Sequence, residues 1–207
     1  MILIKIVNYL LIIVTIAVSC ILGFNNIISG DLYNVLITLS ILPVMLMPRI
    51  LRKWFKLKID PAFEMIYIIF IFFAHFLGSV LKLYNLITWY DGVMHLLSGM
   101  LVPFAAIVIL ISFKQYNPKK LWFNIVFIIV FNLAIAALWE FNEFIFDNLF
   151  NKDAQRVIAT GVNDTMKDMI AAFLGSILFC IMYFYEEVTK NKIIVKHFIE
   201  ELRSNER

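Results

Sequence analysis

The chain has 207 residues, 62% of them hydrophobic and 16% charged, with mean hydropathy +0.89 and a formal net charge of +3. Soluble domains run near 45–50% apolar and about 25% charged, so this composition excludes a water-soluble globular domain. It also gives no nucleic-acid surface, because Lys and Arg sit in short stretches between apolar runs rather than on one basic face.

Six apolar runs reach or approach the roughly 20 residues that a spanning helix needs. The first covers Ile2–Phe24 and the second Leu32–Met47, a short run that closes with Pro43 and Pro48. The third is Pro61–Leu81, where Pro61 after Asp60 suits a helix N-terminus. The fourth is Asp91–Phe113, the fifth Leu121–Phe146 and the sixth Asp164–Tyr185. From Glu186 the chain is charged, with a surface helix expected around Ile193–Leu202. Cys20 and Cys180 lie inside apolar runs and suggest neither a disulfide framework nor a CxxC site. Ala17-Val18-Ser19-Cys20 has a faint likeness to a lipoprotein cleavage box, but Lys5 alone makes a weak charged leader, so an uncleaved first helix is expected.

Orientation follows from the basic residues. Lys5, Arg49, Arg52, Lys53, Lys56, Lys58, Lys114, Lys119, Lys120, Lys190, Lys192, Lys196, Arg203 and Arg207 share one side, against Lys82, Lys152, Arg156 and Lys167 on the other, fourteen to four. The expectation is an all-α polytopic helical bundle with six transmembrane helices, N-in and C-in, in the cell (inner or plasma) membrane. Residues 1–187 form a single integral membrane domain and 188–207 a cytoplasmic charged tail.

Acidic residues show the opposite bias, and that points to a site. Glu140 and Glu143 lie three residues apart inside the fifth run, and intramembrane charges are functional by default. At about 1.5 Å per residue, Asp91 opens helix four at the outer boundary with His95 one turn deeper on the same face. Asp164 opens helix six with Asp168 one turn deeper, and His75 on helix three falls at a similar depth. Spacings of three and four put each set on one helix side. Five carboxylates (Asp91, Glu140, Glu143, Asp164 and Asp168) cannot all stay ionised and unpaired there; they must protonate or bind cations. Carboxylates with a little imidazole suit a divalent metal such as Mg, Mn, Fe or Zn. The expected ligands are Asp91, His95, Glu140, Glu143, Asp164 and Asp168, with His75 weaker. Plainer roles compete: Asp91 and Asp164 as helix N-caps, His75 as a packing hydrogen-bonder, Asp147 as a solvated helix end, Glu64 and Glu186-Glu187 as interfacial charges and His197 as a solvated one.

Short phrases recur: Ala74-His75-Phe76-Leu77-Gly78-Ser79, Ala172-Phe173-Leu174-Gly175-Ser176 and His95-Leu96-Leu97-Ser98-Gly99. Their small residues permit close helix approach.

Three blocks carry a family resemblance: Asp91-Gly-Val-Met-His95-Leu-Leu-Ser-Gly99, Trp139-Glu-Phe-Asn-Glu143, and Asp164-Thr-Met-Lys-Asp168-Met-Ile-Ala-Ala-Phe-Leu-Gly175. In order and spacing they resemble the YjdF-type bacterial inner-membrane family, a domain of unknown function. Asn163 stands where that pattern leads one to expect an aromatic residue. The resemblance implies a multi-pass helical membrane protein and no assigned reaction. A looser likeness of pattern to VanZ-like membrane proteins is analogy only.

The leading functional expectation is a metal-dependent, membrane-embedded hydrolase or transferase acting on a lipid or lipid-linked head group at the outer leaflet. Glu140, Glu143 and Asp168 are the catalytic candidates. Lys152, Arg156 and Lys167 are candidates for holding an anionic head group. The alternatives are a small proton-coupled transporter and a non-enzymatic membrane scaffold or partner protein with a structural acidic cluster. The transporter lacks a visible polar path beyond Asn132 towards the other membrane face.

Overall fold

A computed structural model describes residues 2–55 and 60–204. Lys56, Lys58 and Arg207, part of the basic bias, lie outside the described residues. The described chain is helical, with no strand. Five helices are long and apolar enough to cross a membrane, or six if one bent pair forms a single span. The expected helical polytopic architecture is therefore present. The chain forms two compact units, Met1–Asp91 and Gly92–Arg207.

In the first unit, α1 (Ile2–Ser29) turns into α2 (Leu32–Met45) through Gly30, whose φ of +74° favours glycine. Asp31 caps α2, its carboxylate accepting from the Asn34 backbone N–H at 3.2 Å. Pro43 and Pro48 flank the break that follows, and α3 (Met47–Phe55) leaves the α2 axis at 46°. The short second run is thus α2, which has the length and apolarity of a span only when taken together with α3. After α4 (Pro61–Ile71), capped by Asp60, the helix widens into a π segment over Phe72–Val80, and the short α5 (Leu83–Leu86) follows. Ile12, Ile41, Met45, Ile68, Ile71 and Phe76 form the unit's buried centre.

The second unit holds α6 (Tyr90–Ser112, its first turn straddling the division), α7 (Leu121–Phe150), the one-turn α8 (Val157–Thr160), α9 (Asn163–Thr189) and α10 (Val195–Ser204). Glycine sets the closest approach. A Cβ on Gly99 would run into the Ala172 carbonyl, and one on Gly175 would run into the Leu96 carbonyl. Backbone therefore packs on backbone between α6 and α9. Asn132 of α7, 1% exposed, donates its side-chain amide to the same Ala172 carbonyl at 2.9 Å. Three helices converge on that one residue, and Asn132 is a structural tie within it.

The charged tail is anchored rather than solvated throughout. Val195, Phe198, Ile199 and Leu202 of α10 are buried, whereas His197 is exposed. Phe104 meets the rings of Phe179 and Phe198 edge-on, at 5.0 and 4.9 Å between centroids. Glu186 is fully buried and accepts the backbone N–H groups of Ile194, Val195 and Lys196 at 3.0, 3.1 and 2.7 Å. It satisfies the orphan donors that open a helix. The sides of α7 and α9 that face away from these contacts expose Val126, Val130, Leu138, Phe141, Leu174, Leu178 and Ile181, an apolar surface suited to lipid.

Candidate functional site

The α6–α9 glycine contact places one turn of each helix beside the other, and polar residues occupy those turns. His95 lies four residues before Gly99, and Asp168 lies four before Ala172. Asp91 is a further turn along α6, on the side of His95. One ligand atom from each of Asp91, His95 and Asp168 lies within 4.8 Å of the other two, and Asp168 is buried. Each of the three also has an interaction partner within the protein.

Ligand atoms at about 2.1 Å from one ion sit at most roughly 4.2 Å apart. The three residues reach that spacing with small side-chain movement. Two carboxylates and a neutral imidazole carry two negative charges, which one divalent cation balances. The donor set suits Zn, Fe or Mn, and Mg less well because of the imidazole.

A second acidic pair lies one turn nearer the end of α9. Glu140, 4% exposed, is within electrostatic reach of Asp164 and has Thr165 beside its carboxylate. Gln155 is buried over this pair and donates its side-chain amide to the Glu140 backbone carbonyl at 3.1 Å and to Oε2 at 3.4 Å. Glu140 Oε1 and Asp164 Oδ2 are buried without a hydrogen-bond partner. The other oxygen of Asp164 pairs with Arg156 at 3.7 Å.

The connection from α7 to α9 is held in place by Asp147. Its two carboxylate oxygens accept the backbone N–H groups of Ala154 and Gln155 at 2.7 and 3.0 Å. Asp147, read in the sequence as a solvated helix end, thus organises the loop that delivers Gln155. Nothing in its spacing signalled this, because the bonded groups are backbone amides seven and eight residues on.

The remaining sequence candidates are placed elsewhere. Glu143 accepts from the Trp139 indole N–H at 2.9 Å on a more exposed side of α7, outside the metal-ligand group. His75 lies in the π segment of the first unit, where Nε2 is 2.9 Å from Ser40 Oγ and 3.2 Å from the Ile37 carbonyl oxygen. Lys152 and Lys167 are exposed near the loop that carries Gln155, and Arg156 is half-buried against Asp164.

A family model described as "Predicted membrane protein (DUF2238)" matches residues 7–187, which contain all three blocks of the YjdF-type resemblance. No curated protein and no solved structure matches the chain.

Proposed function

We propose, for a chain that belongs to the DUF2238 family of predicted membrane proteins, that Asp91, His95 and Asp168 form a divalent-cation site serving a hydrolase or transferase reaction on a lipid or lipid-linked head group. The observation that carries this is the convergence of three metal-competent side chains within 4.8 Å at the end of two membrane helices. A cation held there supplies Lewis acidity towards a phosphoryl or acyl oxygen. Glu140 is the general base: its buried Oε1 has no hydrogen-bond partner, and its pair Asp164 sits one turn from Asp168 on α9. Lys152 and Lys167 attract the anionic head group, and Arg156 shares its charge with Asp164. Glu143 has no ligand role in this reading.

The basic bias of fourteen to four supports an N-in, C-in orientation in the cell membrane, with this site at the outer leaflet. The decisive experiment is metal analysis of the protein purified in detergent, wild type beside Asp168→Asn. About one divalent ion per chain that disappears in the variant supports the proposal; no metal in the folded wild-type protein overturns it. A structural acidic cluster is the second reading, favoured because each of the three residues already has an interaction partner within the protein. It requires that Asp168→Asn lower thermal stability while removing neither metal nor any separable activity.

A further inference from the structure

In the first unit, a cavity of roughly 150 Å³ opens among the N-terminal turns of α1, helix α3 and the start of α4. Lys5, Asn8, Tyr9, Arg49, Arg52 and Glu64 line it. Glu64, read in the sequence as an interfacial charge, is 6% exposed and anchors both guanidinium groups: Arg49 Nε donates to Oε1 at 2.8 Å, and Arg52 Nη2 lies 3.0 Å from Oε2. The Arg49 guanidinium also lies 4.4 Å from the centre of the Tyr9 ring, which fixes its plane.

Three cations against one carboxylate leave an excess of two positive charges around this cavity. Lys5 is exposed and has no ion pair among the described residues. A guanidinium carries five N–H donors in a fixed fork, and Arg49 uses its Nε–H on Glu64. Its remaining donors suit the oxygens of a phosphate. An independent feature points to a bound group. Asn8 is 2% exposed and donates its amide to the Pro61 carbonyl at 3.1 Å, yet its Oδ1 is buried with no hydrogen-bond partner. A buried acceptor without a donor is destabilising, so the fitting ligand brings both an anion and a hydrogen-bond donor.

We infer that this cavity is a phosphate-ester site whose ligand is an anionic phospholipid head group. The phosphate is held by Lys5, Arg49 and Arg52, and a head-group hydroxyl donates to Asn8 Oδ1. The setting suits a lipid. Helix α3 departs from α2 at 46° and carries Arg49, Arg52 and Lys53 together with a highly exposed Trp54, the composition of a helix lying in the head-group layer. This site uses no residue of the acidic cluster and stands or falls independently of it.

The test uses full-length protein stripped of lipid in detergent, with phosphatidylglycerol, phosphatidylcholine or inorganic phosphate added. Bound lipid is read by native mass spectrometry and stability by thermal unfolding. Phosphatidylglycerol should bind in preference to phosphatidylcholine, and Lys5→Gln should weaken it about tenfold. Arg52→Gln should weaken it at least as much. Lys53→Gln, a neighbouring cation outside the cavity lining, should leave it unchanged. Because Arg52→Gln also disturbs Glu64, exposed Lys5 is the variant on which the result turns. Inorganic phosphate that stabilises the protein through Lys5, with no preference between the two lipids, supports the phosphate site and assigns it a soluble ligand. Equal binding of both lipids with no effect of phosphate, or equal losses in Lys5→Gln and Lys53→Gln, overturns the inference.

Discussion

Gly99 and Gly175 touch across α6 and α9, and no side chain fits between them. A Cβ built on Gly175 would meet the Gly99 backbone as well as the Leu96 carbonyl. This contact brings the turn bearing His95 against the turn bearing Asp168, so packing and the candidate chemistry share one cause.

Gly99→Ala or Gly175→Ala should therefore act on both. Overpacking a well-filled site costs typically about 1–3 kcal/mol, and here the obstructing atoms are backbone, which moves least. Thermal unfolding in detergent should show a lower midpoint for either variant, and metal content should fall with it. Gly92→Ala is the comparison, since nothing lies within 4 Å of its added methyl. A Gly99→Ala protein as stable as wild type would contradict the packing account.

The proposed metal site divides the candidate residues into ligands and bystanders. Asp168→Asn and His95→Gln are expected to abolish stoichiometric metal, whereas Glu143→Gln and His75→Gln keep it. Glu143 is engaged by Trp139 and His75 by Ser40 and Ile37, outside the metal-ligand group. Metal analysis across these four variants checks the division; metal lost on Glu143→Gln would mean that the coordinating set is wrongly drawn. Glu140→Gln should retain metal and, once a substrate is in hand, lose turnover by about 10²–10⁴-fold, the usual contribution of a general base.

Asn132→Leu should destabilise the second unit by about 1–3 kcal/mol, because the Ala172 carbonyl loses its buried donor. The unfolding midpoint measures this. Asn132 belongs to no transport path in this account, so any flux observed in proteoliposomes should be the same before and after the substitution.

Glu186→Ala removes the carboxylate that accepts three backbone N–H groups at the start of α10. Losing a cap costs typically about 1 kcal/mol and up to about 2, and these donors would be left in a buried place. Hydrogen exchange should accelerate over Val195–Ser204, and trypsin should cut earlier at Lys190 and Lys192. Unchanged protection of α10 would show that its apolar contacts alone hold it.

What the amino-acid order determined by itself is the part governed by local composition. Apolar length specifies the spanning helices, prolines mark the break after Met45, and spacings of three and four put Asp91 with His95 and Asp164 with Asp168. The Gly99 and Gly175 phrases were also legible as places of close approach, since small residues have few other uses in such helices. The tertiary structure decided which helix faces meet. His75 and Glu143 are of the same residue types as the cluster, yet His75 faces Ser40 and Ile37 within its own unit, and Glu143 bonds Trp139 one turn back along α7, outside the metal-ligand group. Periodicity defines a face only relative to its own helix, and the direction of that face comes from packing. The same limit hid Asp147, Gln155 and Glu186, whose partners are backbone groups that any residue could present. It also left the two orphaned carboxylate oxygens and the cationic cavity beside Asn8 invisible until the chain was folded.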